Sequence, residues 1–141
     1  MKNLILLCLS LLSFGACQPS FEPALAPSFV FWAECGKCLT PMTRQFTLND
    51  TQLLDEKGAA LPDSLFQLAR ALESSMPGQL CSADEGVYGC GTCYDGISYF
   101  IRTNCNGQER RWQFDPKEES LPADLKAYAE QLRSVFYACA K

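Results

Sequence analysis

LPDSLFQLARALES (61–74) and LPADLKAYAEQLRS (121–134) share the pattern LPxxLxxxAxxLxS, and each follows a CGxC pair, Cys35-Gly36-Lys37-Cys38 and Cys90-Gly91-Thr92-Cys93. The CGxC words stand 55 residues apart and the helix words 60. Two words in one order at nearly one offset indicate a supersecondary unit that occurs twice.

Between the words the pattern is strand-like. Phe29 to Ala33 is a β-prone run, and Met42 to Leu48 sets Phe46 and Leu48 on one face. Gln52-Leu53-Leu54 extends or pairs with them before Gly58 breaks the pattern. In the second copy, Ile97, Tyr99 and Ile101 alternate with Ser98, Phe100 and Arg102. Asn106-Gly107 then marks a tight hairpin, and the return strand sets Arg110, Trp112 and Phe114 against Arg111 and Gln113. With so many aromatics on both faces of this hairpin, they are not all expected to be buried.

Leu61, Leu65, Leu68, Ala69 and Leu72 recur at helical spacing, as do Leu121, Leu125, Tyr128, Ala129, Leu132, Val135, Phe136 and Cys139. Pro62 and Pro122 suit a first turn, and Asp63 and Asp124 favour its positive end. Met76-Pro77-Gly78 stops the first helix, and the glycine-rich span 82–91 reads as a loop with Cys81 and Cys90 placed to pin it. The fold class expected is α+β: an antiparallel sheet built from two strand-strand-helix units, with two helices packed on one face.

The N-terminus sets the address. Met1-Lys2-Asn3 and the apolar run Leu4 to Phe14 read as a signal peptide, residues 1–16, too short to span a bilayer as a mature helix. Ser13-Phe14-Gly15-Ala16-Cys17 resembles the lipobox of bacterial lipoproteins. The resemblance implies that Cys17 becomes the lipidated first residue, on a membrane of the cell envelope. Residues 17–28, with Pro19, Pro23 and Pro27, read as an extended tether, and 29–141 as a single disulfide-containing domain.

Loss of residues 1–16 removes Lys2 and no acid, so the net charge of −4 becomes about −5. An acidic chain without a basic run has no footprint for nucleic acid, and membrane attachment then rests on acyl chains alone. Cys8 leaves with the signal, so Cys35, Cys38, Cys81, Cys90, Cys93, Cys105 and Cys139 remain for an oxidising compartment. All seven are disulfide candidates with connectivity open; seven is odd, so at least one thiol stays outside the bridges. Cys139 is expected to tie down the chain's end.

Two sharper readings compete with structural disulfides. Phe31 to Cys38 resembles the redox word of thioredoxin, which implies Cys35 as attacking and Cys38 as resolving thiol. That chemistry needs the first cysteine at a helix N-terminus, whereas the residues after Cys38 alternate like a strand. The other reading takes both CGxC pairs as a four-thiolate zinc site, against which stand export and three further cysteines. There is no histidine, so Ser-His-Asp, Cys-His and His-metal mechanisms are excluded. Asp84-Glu85 and Glu118-Glu119 lie in polar stretches and read as solvated surface. No cofactor is expected.

The whole domain is similar in element order to the emfourin-type inhibitors of thermolysin-like metalloproteases, through Asp95, Tyr99, Ile101, Asn106-Gly107, Phe114-Asp115 and Leu121-Pro122-Ala123-Asp124-Leu125. The resemblance implies a non-catalytic binding module whose partner is a protease or another envelope or secreted protein. The turn at Gly36 and the loop from Cys81 to Cys93 are its expected exposed surfaces.

Overall fold

The computed structural model describes residues 29–38, 44–83, 86–90, 93 and 96–141. The signal segment 1–16, the lipid site Cys17, the tether 17–28, Pro41, Met42, Asp84-Glu85, Gly91-Thr92 and Asp95 lie outside the described residues.

The fold is α+β. Strands β1 (Phe29–Cys35), β2 (Gln45–Leu48) and β3 (Leu53–Leu54) precede helices α1 (Asp63–Ser74) and α2 (Gly78–Ser82). Strands β4 (Gly86–Tyr88), β5 (Ile97–Cys105) and β6 (Gln108–Phe114) follow, and α3 (Ala123–Cys139) closes the chain. One six-stranded sheet runs β3-β2-β1-β5-β6-β4. Every pair is antiparallel except β4 with β6. The long β5–β6 hairpin turns at Asn106 and Gly107, both at positive φ (55° and 83°), the geometry that a two-residue type I′ turn demands.

One sheet face carries the core. Phe29, Phe31 and Ala33, Phe46 and Leu48, Tyr99 and Ile101, Trp112 and Phe114 join one buried cluster with side chains of all three helices. The α3 stripe is buried from Leu125 to Cys139 as its spacing predicts. In α1 only Ala69 and Leu72 are fully buried, and Leu68 is 44% exposed, contrary to its place in the stripe. The reason is position: α1 lies against α3 and the short strands β2 and β3 at one margin of the sheet, whereas α3 lies against β1 and β5 in its middle. None of the described helices is long and apolar enough to cross a membrane.

Three features depart from the sequence reading. The span 82–91 is not all loop: Gly86–Tyr88 forms the sheet edge, with Tyr88 stacked on Phe114 at 5.5 Å. Met76-Pro77-Gly78 ends α1 and at once starts α2. The hairpin aromatics Tyr99, Phe100, Trp112 and Phe114 are all buried. Phe100, on the face away from the core cluster, is 2% exposed because Trp32 stacks on it at 5.0 Å and the Arg111 guanidinium lies over both rings, at 4.8 and 4.9 Å. Glu34 accepts from the Trp32 indole N–H at 2.8 Å, which fixes the ring's orientation.

The cysteines pair as Cys35–Cys38, Cys81–Cys105 and Cys90–Cys93. The loop between Cys81 and Cys90 is therefore not closed on itself; Cys81 is instead tied across 24 residues to the end of β5. Cys139 is buried and outside any disulfide, so the chain's end is held by packing and by Arg44 donating to the Ala140 carbonyl, not by a covalent tie. Burial pushes the Cys139 thiol up to about 11.

Candidate binding surface at the disulfide end of the sheet

β1 and β6 each run antiparallel to β5, and β4 runs parallel to β6. The C-terminal ends of β1, β6 and β4 therefore meet at one end of the sheet, together with the start of β5. Both CGxC turns follow strands that finish there: Cys35 is the last residue of β1, opposite Ile97, and Cys90 comes two residues after β4. The sequence words separated by 55 residues share one rim of the fold.

The first turn is held to β5 by the Gly36 N–H, which donates to the Gly96 carbonyl at 3.3 Å. Gly36, Lys37 and Cys38 are exposed, as expected of the Gly36 turn. At the other side, Asp115 N–H donates to the Tyr88 carbonyl at 2.8 Å and carries the β4–β6 pairing past the end of both strands. Gly89 sits here at φ 81°, so close to the 115–118 turn that an added Cβ would stand 2.8 Å from the Cβ atoms of Asp115 and Glu118. Only glycine combines that conformation with that approach. The second disulfide turn is thus seated on the turn that leaves β6.

At this end of the sheet, between the start of β5, the turn after β6 and α3, lies a cavity of about 270 Å³. Gly96, Ile97, Tyr99 and Pro116 supply backbone and apolar lining, and Lys117, Arg133 and Tyr137 complete the wall. Asp115 also lines it but is itself buried, its Oδ1 accepting from the Lys117 N–H at 3.0 Å. Burial, reinforced by a hydrogen bond with Tyr137, raises the Tyr99 phenol well above its usual range, against a weaker opposing pull from Arg133. Arg133 pairs with Glu130 at 2.9 Å. The Tyr137 ring is 42% exposed and meets Tyr99 edge-on at 6.3 Å.

This arrangement suits recognition. Its polar groups are two phenols, an ammonium, a guanidinium and the buried Asp115 carboxylate around an apolar floor, a mixture typical of sites that orient a ligand or an anchoring side chain. The same end of the sheet carries the Cys35–Cys38 and Cys90–Cys93 pairs, whereas Cys105 ends β5 at the opposite end and holds Cys81 there. Tyr99, Lys117, Arg133 and Tyr137 were not singled out by sequence reasoning as binding residues. The usable signal was Arg133 and Tyr137, one turn apart on α3 and off its buried stripe.

Cys35 closes a strand, which is not the helix N-terminus that a thioredoxin-like dithiol uses. The four thiolates of a zinc site would be Cys35, Cys38, Cys90 and Cys93, and each pair is closed on itself as a disulfide. Among the described residues no cluster of Cys, Asp or Glu is placed to hold a metal ion. Compared with protein-family models, curated proteins and solved structures, the chain matches none.

Proposed function

We propose that this chain is an exported, lipid-anchored binding domain of the bacterial cell envelope, non-catalytic, that grips a protein partner with the disulfide end of its sheet. The observation that carries this reading is that both disulfide turns leave the sheet at the end where one cavity opens, with Gly36 bonded to its lining residue Gly96 and Gly89 packed on its lining residue Asp115. Short disulfide loops stiffen such a rim before any partner arrives, which lowers the ordering cost of binding. The signal-like N-terminus and the lipobox-like Ser13 to Cys17 support membrane attachment through Cys17, and the tether 17–28 gives the domain reach. The frame in this reading is two strand-strand-helix units with α1 and α3 on a common sheet face, supported by the single core cluster that both helices join. A protease or another envelope protein is the partner class, by the resemblance to metalloprotease inhibitors.

Two measurements on the full chain test this. Non-reducing mass spectrometry should find diacylglycerol and an acyl chain on Cys17, and a Cys17→Ser variant should leave the membrane fraction. In an insulin-reduction assay the protein should be inactive, and Cys35→Ser should alter stability only. Turnover of insulin disulfides that Cys35→Ser abolishes would replace the binding reading with thiol-disulfide exchange through Cys35 and Cys38.

A further inference from the structure

The two edges of the six-stranded sheet are finished differently. At the β3 edge the chain folds back on itself: Leu54 bridges Ala60, Leu61 N–H donates to the Leu53 carbonyl at 2.8 Å, and Asp55 N–H donates to the Ala59 carbonyl at 2.9 Å. That turn covers the outer backbone of the strand and closes the edge to other chains. At the β4 edge no such bridge is found among the described residues, and Gly86-Val87-Tyr88 carries neither a charge nor a proline.

The pairing fixes which way the β4 backbone points. The Tyr88 carbonyl accepts from Asp115 N–H at 2.8 Å, so the peptide groups of Tyr88 face β6. Successive strand residues turn these groups to opposite sides, so Gly86 also faces β6 and Val87 turns its N–H and C=O away from the sheet. The Val87 side chain is 68% exposed, more than Leu68 or Tyr137. It stands beside its register partner Gln113 on the sheet face away from the core, next to a depression of about 310 Å³ lined by Gly86, Val87, Arg111 and Gln113. An outward N–H and C=O flanking an exposed apolar side chain match the backbone of another strand.

We propose that β4 takes a seventh strand, an extended segment of the protein partner that runs antiparallel to it with an apolar, β-branched residue opposite Val87. An antiparallel neighbour satisfies both groups of Val87 with one residue, which suits a strand that turns only one residue outward. A second copy of this chain is the poorer occupant: β4 is three residues long, far short of the roughly 1,200 Å² that a stable interface buries, and both copies carry the same negative charge. A partner held at the disulfide end gains the remaining area there, because Cys90 follows Tyr88 by two residues. In this the inference rests on the protein-binding reading above.

The test uses the full chain in detergent micelles and the peptide acetyl-Lys-Thr-Val-Thr-Val-Thr-Lys-amide, followed by amide NMR and hydrogen exchange. Saturable binding is expected, with exchange of the Val87 N–H slowed about ten-fold or more and that of the Tyr88 N–H, already turned to β6, unchanged. The same peptide N-methylated at both Val residues should bind about ten-fold more weakly. Val87→Pro removes the outward N–H and no ladder bond, so it should abolish binding while the protein stays folded. Absence of binding, equal binding of the two peptides, or an unprotected Val87 N–H at saturation would each overturn the assignment, and the methylated peptide decides without any variant. A concentration-dependent dimer that Val87→Pro abolishes would give the edge to a second copy instead. Failure here is distinct from failure of the protein-binding reading, since membrane fractionation and the insulin assay do not involve β4.

Discussion

The stretch from Phe29 to Ser74 and the stretch from Gly86 to Cys139 carry the same words in the same order, yet their strands pair differently. In the first, the strand before the CGxC turn joins the next strand antiparallel, in a simple meander β1-β2-β3. In the second, the corresponding strand β4 skips β5 and lies parallel to β6 at the sheet edge. The helices differ in the same sense: α1 is pinned at two buried positions over short strands at the sheet's margin, while α3 buries seven residues near the sheet's centre. Similar words thus stand beside elements that pair and bury differently, and the space left by the rest of the chain sets how much each one carries.

That difference in burden is open to measurement. The largest effect should come from Phe136→Ala, which empties a site packed by Phe46 and Tyr99 and should cost about 3–5 kcal/mol in urea unfolding. Leu68→Ala in α1 should cost about 1 kcal/mol or less, because nearly half of that side chain is already in water. Equal losses at the two positions would erase the asymmetry between the helices.

The disulfides sharpen the contrast next. Cys81→Ser with Cys105→Ser opens a long loop and should cost about 3.5 kcal/mol, whereas Cys35→Ser with Cys38→Ser opens a four-residue loop and should cost about 2 kcal/mol or less. Denaturant midpoints of the two double variants check the order. A larger loss from the Cys35–Cys38 pair would mean that the rim turn is an integral part of the fold.

On the sheet face away from the helices, Arg111→Ala removes the cation over Trp32 and Phe100 and should cost about 0.5–1 kcal/mol. It should also shift Trp32 fluorescence to the red as the ring gains water. An unchanged spectrum would show that the stack does not depend on its cap.

The smallest effect at neutral pH belongs to Cys139. Burial raises its folded pKa from near 9 to about 11, so the folded state holds the proton more tightly than the unfolded chain. Its contribution is complete below about pH 9 and is lost as pH rises toward 11, so stability should fall over that window, and Cys139→Ala should flatten the fall. A steeper fall in the variant would refute burial as the cause of the shift.

Some of this could be read from residues alone. The Asn106-Gly107 hairpin and the α3 stripe announce themselves because their signals are local: a turn that needs positive φ and an apolar period sustained over four turns. β4 does not, since three residues, the first of them a glycine, are too few to show a period. Burial of Phe100 depends on Trp32, 68 residues earlier in the chain, and the Cys81–Cys105 bridge likewise joins residues that only the fold brings together. The cavity at the rim was illegible for the same reason, because β5, the turn after β6 and α3 each supply part of it.

Gly89 has a mechanical meaning for that rim. With no room for even a methyl group between it and the 115–118 turn, Gly89 seats the chain just before Cys90 directly on the turn that carries Pro116 and Lys117 into the cavity wall.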